Sequence, residues 1–214
     1  MTSGQLCQGH ALAKQATTMN INYQITFYND WHCGSGLAAG ADIDLLVVKD
    51  HRGLPFVPGK TIKGLVREAL ETIFILKGKD TEVLVEMLGR ETDNPDETKS
   101  ARGLMSRGIS FFTNAKLDDN EAEAIVNAKA TDYLYRSIAS TAVDPSTGTA
   151  LQHSLRRMQV TVPCVMHGRI LDVPEALADD VIDALRYIKR LGQSRNRGYG
   201  RCDIAAQVEE GGDA

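Results

Sequence analysis

Long apolar runs are missing from this chain of 214 residues. Nothing in it approaches the roughly eighteen consecutive apolar residues of a membrane-spanning helix, so no membrane partner is expected. The first residues, "MTSGQLCQGHALAKQATTMN", lack a basic start followed by an apolar core. They read as a flexible leader over 1–19 rather than a secretory signal. Cysteines are few and scattered, at 7, 33, 164 and 202, with no Cys-x-x-Cys pair. That spacing argues against a zinc knuckle and for reduced thiols in a cytoplasmic protein. Aromatic residues make up only 6%, and "ISFFT" lacks the interleaved aromatic and basic pattern of a base-stacking RNA-binding sheet.

The net charge of −4 argues mildly against nucleic acid, but the charge is segregated. Residues 145–171 hold Arg156, Arg157 and Arg169 and no acid; residues 184–202 hold six bases and no acid. Such a chain can present a basic surface despite a negative total.

Period-two alternation of Ile21, Tyr23, Ile25 and Phe27 predicts a strand with one buried face. The run "IDLLVV" at 43–48 reads as extended. In "PFVPGKTIKGLVREALE", two prolines hold the approach extended, and apolar residues from Ile62 predict an amphipathic helix over about 61–76. Lys63 and Arg67 stack on one stripe of it, and Gly64 could admit another backbone. Residues 107–117 and 157–173 read as strands. The segment 118–130 reads as a short surface helix, and 174–192 as a second amphipathic helix capped by Gly192. A strand closes the order at 201–209. This is a β-α-β-β-α-β, ferredoxin-like plan of the α+β class, also used by RNA-recognition modules. It forms one domain over 20–208, with insertions at about 77–106 and 118–156 and a tail at 209–214.

"LGQSRNRGYGRC" at 191–202 is the strongest chemical signal. Its glycines let backbone N–H groups approach phosphates, and its arginines supply charge. The glycines at 192, 198 and 200 miss the dinucleotide-binding spacing, and the loop follows a helix rather than a strand. Asp42 and Asp44 would share one face of an extended segment, where a carboxylate beside a phosphate path can hold hydrated magnesium. Taken alone, that segment fits solvated or turn-forming aspartates better.

These motifs together resemble the RAMP superfamily of CRISPR effector proteins, and most of all the type III backbone subunit that coats guide RNA. The resemblance rests on "HCG" at 32–34, "IDLLVVKD" at 43–50, "PFVPGKTIKGLVR" at 55–67, "DPSTGTA" at 144–150 and the glycine loop, in that order. It implies guide-RNA contacts at His32, Lys60, Lys63 and Arg67 and at Gly192, Arg195, Arg197 and Gly198, with 60–67 and 184–202 in one continuous groove. It implies a thumb over 138–156, including Asp144, Thr147 and Arg156, that crosses a guide–target duplex. Asp44 matches the aspartate that directs metal-dependent cutting of target RNA, with Mg2+ or another divalent cation as cofactor. Other effector subunits, and copies or paralogues of the chain in a filament, are the implied partners. Two readings stay open beside this one. One is a non-cleaving structural subunit; the other is a metal-independent guide-processing endoribonuclease using His32, His153 or His167.

Overall fold

The computed structural model describes residues 17–38, 43–90 and 107–209. Most of the expected leader, Asp42, residues 91–106 of the expected insertion and the tail from 210 lie outside the described residues. The central strand β1 (Thr18–Phe27) buries Ile21, Tyr23, Ile25 and Phe27, as its alternation requires. β5 (Val165–Pro174) and β6 (Cys202–Val208) flank it, both antiparallel. A two-residue strand β2 (Phe111–Phe112) adds to the outer side of β5. The order β2-β5-β1-β6 is the ferredoxin-like arrangement.

Helices α1 (Gly59–Lys77) and α4 (Ala178–Tyr187) share one hydrophobic core with the buried face of β1. Ile62, Val66, Leu70 and Phe74 of α1 and Val181, Ala184 and Leu185 of α4 are buried in it. The other sheet face carries Asn22, Gln24, His167, Arg169 and Gln207 around an open cleft of about 540 Å³. Short helices α2 (Val83–Leu88) and α3 (Asp119–Asn127) are peripheral insertions. No described helix is long and apolar enough to cross a membrane.

Three expectations from the sequence are corrected. The strand expected over 107–117 shrinks to β2. Upstream, the N–H groups of Ile109 and Ser110 bond to Glu86 and Met87 of α2 instead of to β5. Downstream, Thr113 and Lys116 still bond β5 at Arg169 and His167, but the run is interrupted at Asn114, whose side chain accepts from the Gly59 N–H, and at Ala115, which pairs with Val57.

The strand expected over 157–173 is two strands. β4 (Arg156–Thr161) pairs with β3 (Tyr135–Ser140) in a separate antiparallel hairpin, and the break falls at Pro163, which has no N–H to donate. The hairpin carries most of the expected thumb, whose loop is therefore 141–155 between paired strands.

Finally, α4 ends at Tyr187, before Gly192. Ile188 is extended, and residues 189–191 bond instead to 200–202, through Leu191 N–H to Gly200 O and Cys202 N–H to Lys189 O. Burial of Ile188 and Leu191 favours that ladder over another helical turn.

Gly64 is open, with nothing within 4 Å of a Cβ built on it. The close approach belongs to Gly59, where an added Cβ would overlap the Phe112 carbonyl oxygen.

Candidate nucleic-acid interface

The 189–191/200–202 ladder closes the glycine loop at its base, so residues 192–199 project as one unit. A helical turn, Arg195–Arg197, lifts both arginines outward. Gly192 (φ 98°) and Gly198 (φ 90°) take left-handed conformations that favour glycine. Asn29, just after β1, holds the loop from below: its amide donates to Gly198 O, and its Oδ1 accepts from Arg201 N–H at 2.8 Å. The Arg190 guanidinium donates to Arg195 O at 2.9 Å. Each bond fixes backbone and leaves Arg195 and Arg197 exposed.

Facing this loop stands the β3–β4 hairpin. The extended segment 43–48 runs along its base without forming a regular strand. Leu45 bridges to Met158 in parallel, and Gln159 N–H donates to Leu45 O at 2.9 Å. Asp44 is bonded twice to Arg157: its N–H donates to Arg157 O at 2.9 Å, and its Oδ2 accepts from Arg157 N–H at 2.7 Å.

Between loop and hairpin lies a groove of about 930 Å³, lined by Asp44 and Leu45, by both hairpin strands, and by residues 192–199 except Gly198. Arg156, Arg157, Arg195 and Arg197 are exposed, and among the described residues none of them pairs with a carboxylate. Four unpaired guanidinium groups around a cleft with one carboxylate suit a polyanion that carries a cation.

The groove gathers Asp44, Arg156, Gly192, Arg195 and Arg197 of the residues singled out in the sequence; Gly198 sits at the loop's edge with open space around it. It also gathers Arg157, Gln193, Asn196 and Tyr199, which sequence reasoning did not assign. Arg157 had a signal in its place in the acid-free run, and Gln193, Asn196 and Tyr199 lie inside the glycine loop the sequence already marked.

His32 is not at the surface. Its side chain is fully buried, so the expected RNA contact is corrected. Nor do Lys60, Lys63 and Arg67 line the groove. The Arg67 guanidinium donates to Leu88 O and Gly89 O, each at 3.0 Å, closing the C-terminal end of α2. Burial, and then the neighbouring Arg67 charge, lowers the Lys63 pKa. The side of α1 that meets the glycine loop carries Leu65, Glu68 and Thr72; with Tyr187–Arg190 and Arg195 it lines a separate notch of about 300 Å³. The continuous groove expected from 60–67 and 184–202 is therefore divided.

In the hairpin loop, Asp144 accepts from the Ser146 hydroxyl at 2.6 Å and the Ser146 N–H at 2.8 Å, which hold its pKa below the usual carboxylate value. Thr147 Oγ1 lies 2.8 Å from Thr149 Oγ1. Both residues shape the loop tip, away from the groove.

Among the described residues no three His, Cys, Asp or Glu side chains gather as a metal site. Asp44 fits a magnesium ion only in the sparse way common for that metal, as one carboxylate completed by water and substrate phosphate oxygens.

The model of the RAMP superfamily matches residues 24–203. The chain belongs to the RAMP superfamily. Among solved structures, this RAMP protein is similar to a chain of type III-B Cmr-beta bound to cognate target RNA, with 12% identity and a TM-score of 0.66. That match covers 89% of this chain and 98% of the other. It is similar also to a chain of type III-B Cmr-beta in its apo state, with 12% identity and a TM-score of 0.67, covering 90% and 98%. At that identity the likeness is one of fold. No curated protein sequence matches the chain.

Proposed function

We propose that this RAMP protein is a backbone subunit of a type III CRISPR effector complex. It binds guide RNA by its phosphates in the groove between hairpin and glycine loop, and cuts the paired target RNA with a divalent cation at Asp44. The observation that carries the reading is the convergence of Arg156, Arg157, Arg195 and Arg197 on one groove with Asp44 at its wall. The likeness to a chain of type III-B Cmr-beta bound to cognate target RNA agrees with it.

Guanidinium groups on phosphates hold the strand without reading its bases. Base pairing to the guide then selects the target. Arg156 and the hairpin would hold the target strand so that a 2′-hydroxyl stands in line with its own phosphate. Asp44 and the phosphate oxygens would hold the cation, which supplies stabilisation for charge developing on the phosphate.

The non-cleaving structural subunit is the second reading, because Asp44 already has a structural task in bonding Arg157. The guide-processing reading gains nothing from the geometry: His32 is buried, His153 lies on the hairpin loop, and His167 lines the cleft on the opposite sheet face. Sequencing the RNA that copurifies with the protein tests the proposal. Repeat-derived guides are expected; RNA without repeat sequence would refute it.

A further inference from the structure

We propose that His32 is a positioning residue that ties the β3–β4 hairpin to the glycine loop and so sets the distance between the groove's two walls. The inference rests on the reading of that groove as an RNA site.

His32 follows β1 at the point where three segments meet. Its neighbour Trp31 stacks on Phe27, with centroids 4.4 Å apart, and exchanges two backbone hydrogen bonds with Thr161 at the end of β4. The His32 ring then reaches along β4, with Nδ1 2.6 Å from the carbonyl oxygen of Gln159. A carbonyl only accepts, so Nδ1 carries the proton in that bond. On its other side, His32 supports the loop by its backbone. Its carbonyl accepts from Gln193 N–H at 2.8 Å, and a Cβ on Gly192 would come within 2.5 Å of the same oxygen. Gly34 makes room for the ring's far edge, since a Cβ there would lie 3.1 Å from Nε2. Nε2 is enclosed, without a hydrogen-bond partner.

One residue thus grips both walls, the hairpin by its ring and the loop by its backbone. The ring makes its bond through Nδ1 and leaves Nε2 idle. A direct RNA contact would have to use Nε2, and the two roles need different substitutes. The asparagine amide nitrogen reaches about where Nδ1 sits, and glutamine reaches about where Nε2 sits.

The experiment measures RNA binding against salt for His32→Asn, His32→Gln and His32→Leu, alone and with Arg195→Ala/Arg197→Ala. His32→Asn should bind like wild type. His32→Gln and His32→Leu should lose about tenfold or more, and their log–log salt slope should fall by roughly 1.4, the value of two single-strand phosphate contacts. Added to the loop-arginine variant, His32→Leu should cost nothing further, because it acts through those arginines. Rescue by glutamine but not asparagine, or full additivity, would overturn the tie. If Arg195→Ala/Arg197→Ala itself bound RNA normally, the groove reading would fail. The tie would then be judged by the distribution of distances between spin labels at Asn196 on the loop and Ser140 on the hairpin, expected to be narrow in wild type and longer or broader in His32→Leu; equal distributions would overturn it. Should His32→Leu not fold, nitrogen NMR of the wild-type ring decides. A proton on Nδ1 and a bare Nε2 are expected, and the opposite tautomer would overturn the tie.

Discussion

Asp44 and Arg157 hold each other by a reciprocal pair of hydrogen bonds: Asp44 N–H to Arg157 O at 2.9 Å, and Arg157 N–H to Asp44 Oδ2 at 2.7 Å. One carboxylate oxygen is therefore committed to the hairpin before any cation arrives. The proposed catalytic role and the architectural one fall on one side chain, so alanine alone cannot separate them. An asparagine side chain in its place would keep an acceptor for the Arg157 N–H and remove the charge. We expect Asp44→Asn to bind guide and target normally and to cut roughly a hundredfold more slowly or worse, about 3 kcal/mol of transition-state stabilisation. Asp44→Ala should lose cleavage and also loosen the hairpin. Chelator should abolish wild-type cutting, and added magnesium should restore it. Wild-type cutting by Asp44→Asn would leave Asp44 with only its architectural role.

Arg67 and the loop arginines should behave as opposites. Arg67→Ala leaves the carbonyls of Leu88 and Gly89 without their charged donor. A loss of about 2 kcal/mol of stability is expected, with RNA affinity unchanged. Arg195→Ala with Arg197→Ala should leave stability alone and weaken binding to unrelated RNA sequences equally. Thermal unfolding and a salt titration read both effects; an Arg67→Ala protein of wild-type stability but poor RNA binding would return Arg67 to the interface.

Two glycines of α1 make a matched pair. Gly64→Ala adds a methyl to open space in a helix interior and should stabilise by about 1 kcal/mol. Gly59→Ala drives a Cβ into the Phe112 carbonyl and should destabilise by about 3 kcal/mol or more. Denaturant midpoints of the two variants should move in opposite directions; a shift in the same direction would contradict this packing of α1 against β2.

Asp180 gives the fold an acid limit. Burial by itself would raise its pKa, but hydrogen bonds from Lys79 and Lys77 outweigh burial and bring it below the ordinary 3.8. A depressed folded value contributes stability in full above the unfolded pKa and loses it as pH falls through the folded one. Asp180→Asn should lower Tm at neutral pH and flatten the decline of Tm below about pH 4. An equally steep acid decline in the variant would show that another carboxylate sets the limit.

The residues that announced themselves in the sequence did so by local rules. Ile21, Tyr23, Ile25 and Phe27 alternate because one face of β1 is buried, and Ile62, Val66, Leu70 and Phe74 recur at helical spacing for the same reason. The glycine loop and Asp44 were legible as motifs. What was hidden depended on partners far along the chain. Nothing near Gly192 says that residues 189–191 will leave the helix for 200–202. Nothing near Arg67 announces the carbonyls at Leu88 and Gly89. His32 reads as a surface contact until Gln159 is seen against its ring. Periodicity reports which face is buried; it does not report which distant backbone completes the hydrogen bonds.

The position of β1 also governs when the protein can fold. Its neighbours come late in the chain: Thr18 pairs with Pro174, and Ile21 with Val208. Such distant pairings must close long loops before they are rewarded, which makes them slow. While the chain is being made, β1 waits with its apolar face uncovered, and the glycine loop has no ladder to hold it until β6 has been made. A nascent chain thus has no formed groove until β6 has been made, and the proposed RNA binding must wait for that strand. Refolding should be slow and all-or-none, with RNA captured only in its last phase; capture by a chain truncated before Cys202 would contradict this order of events.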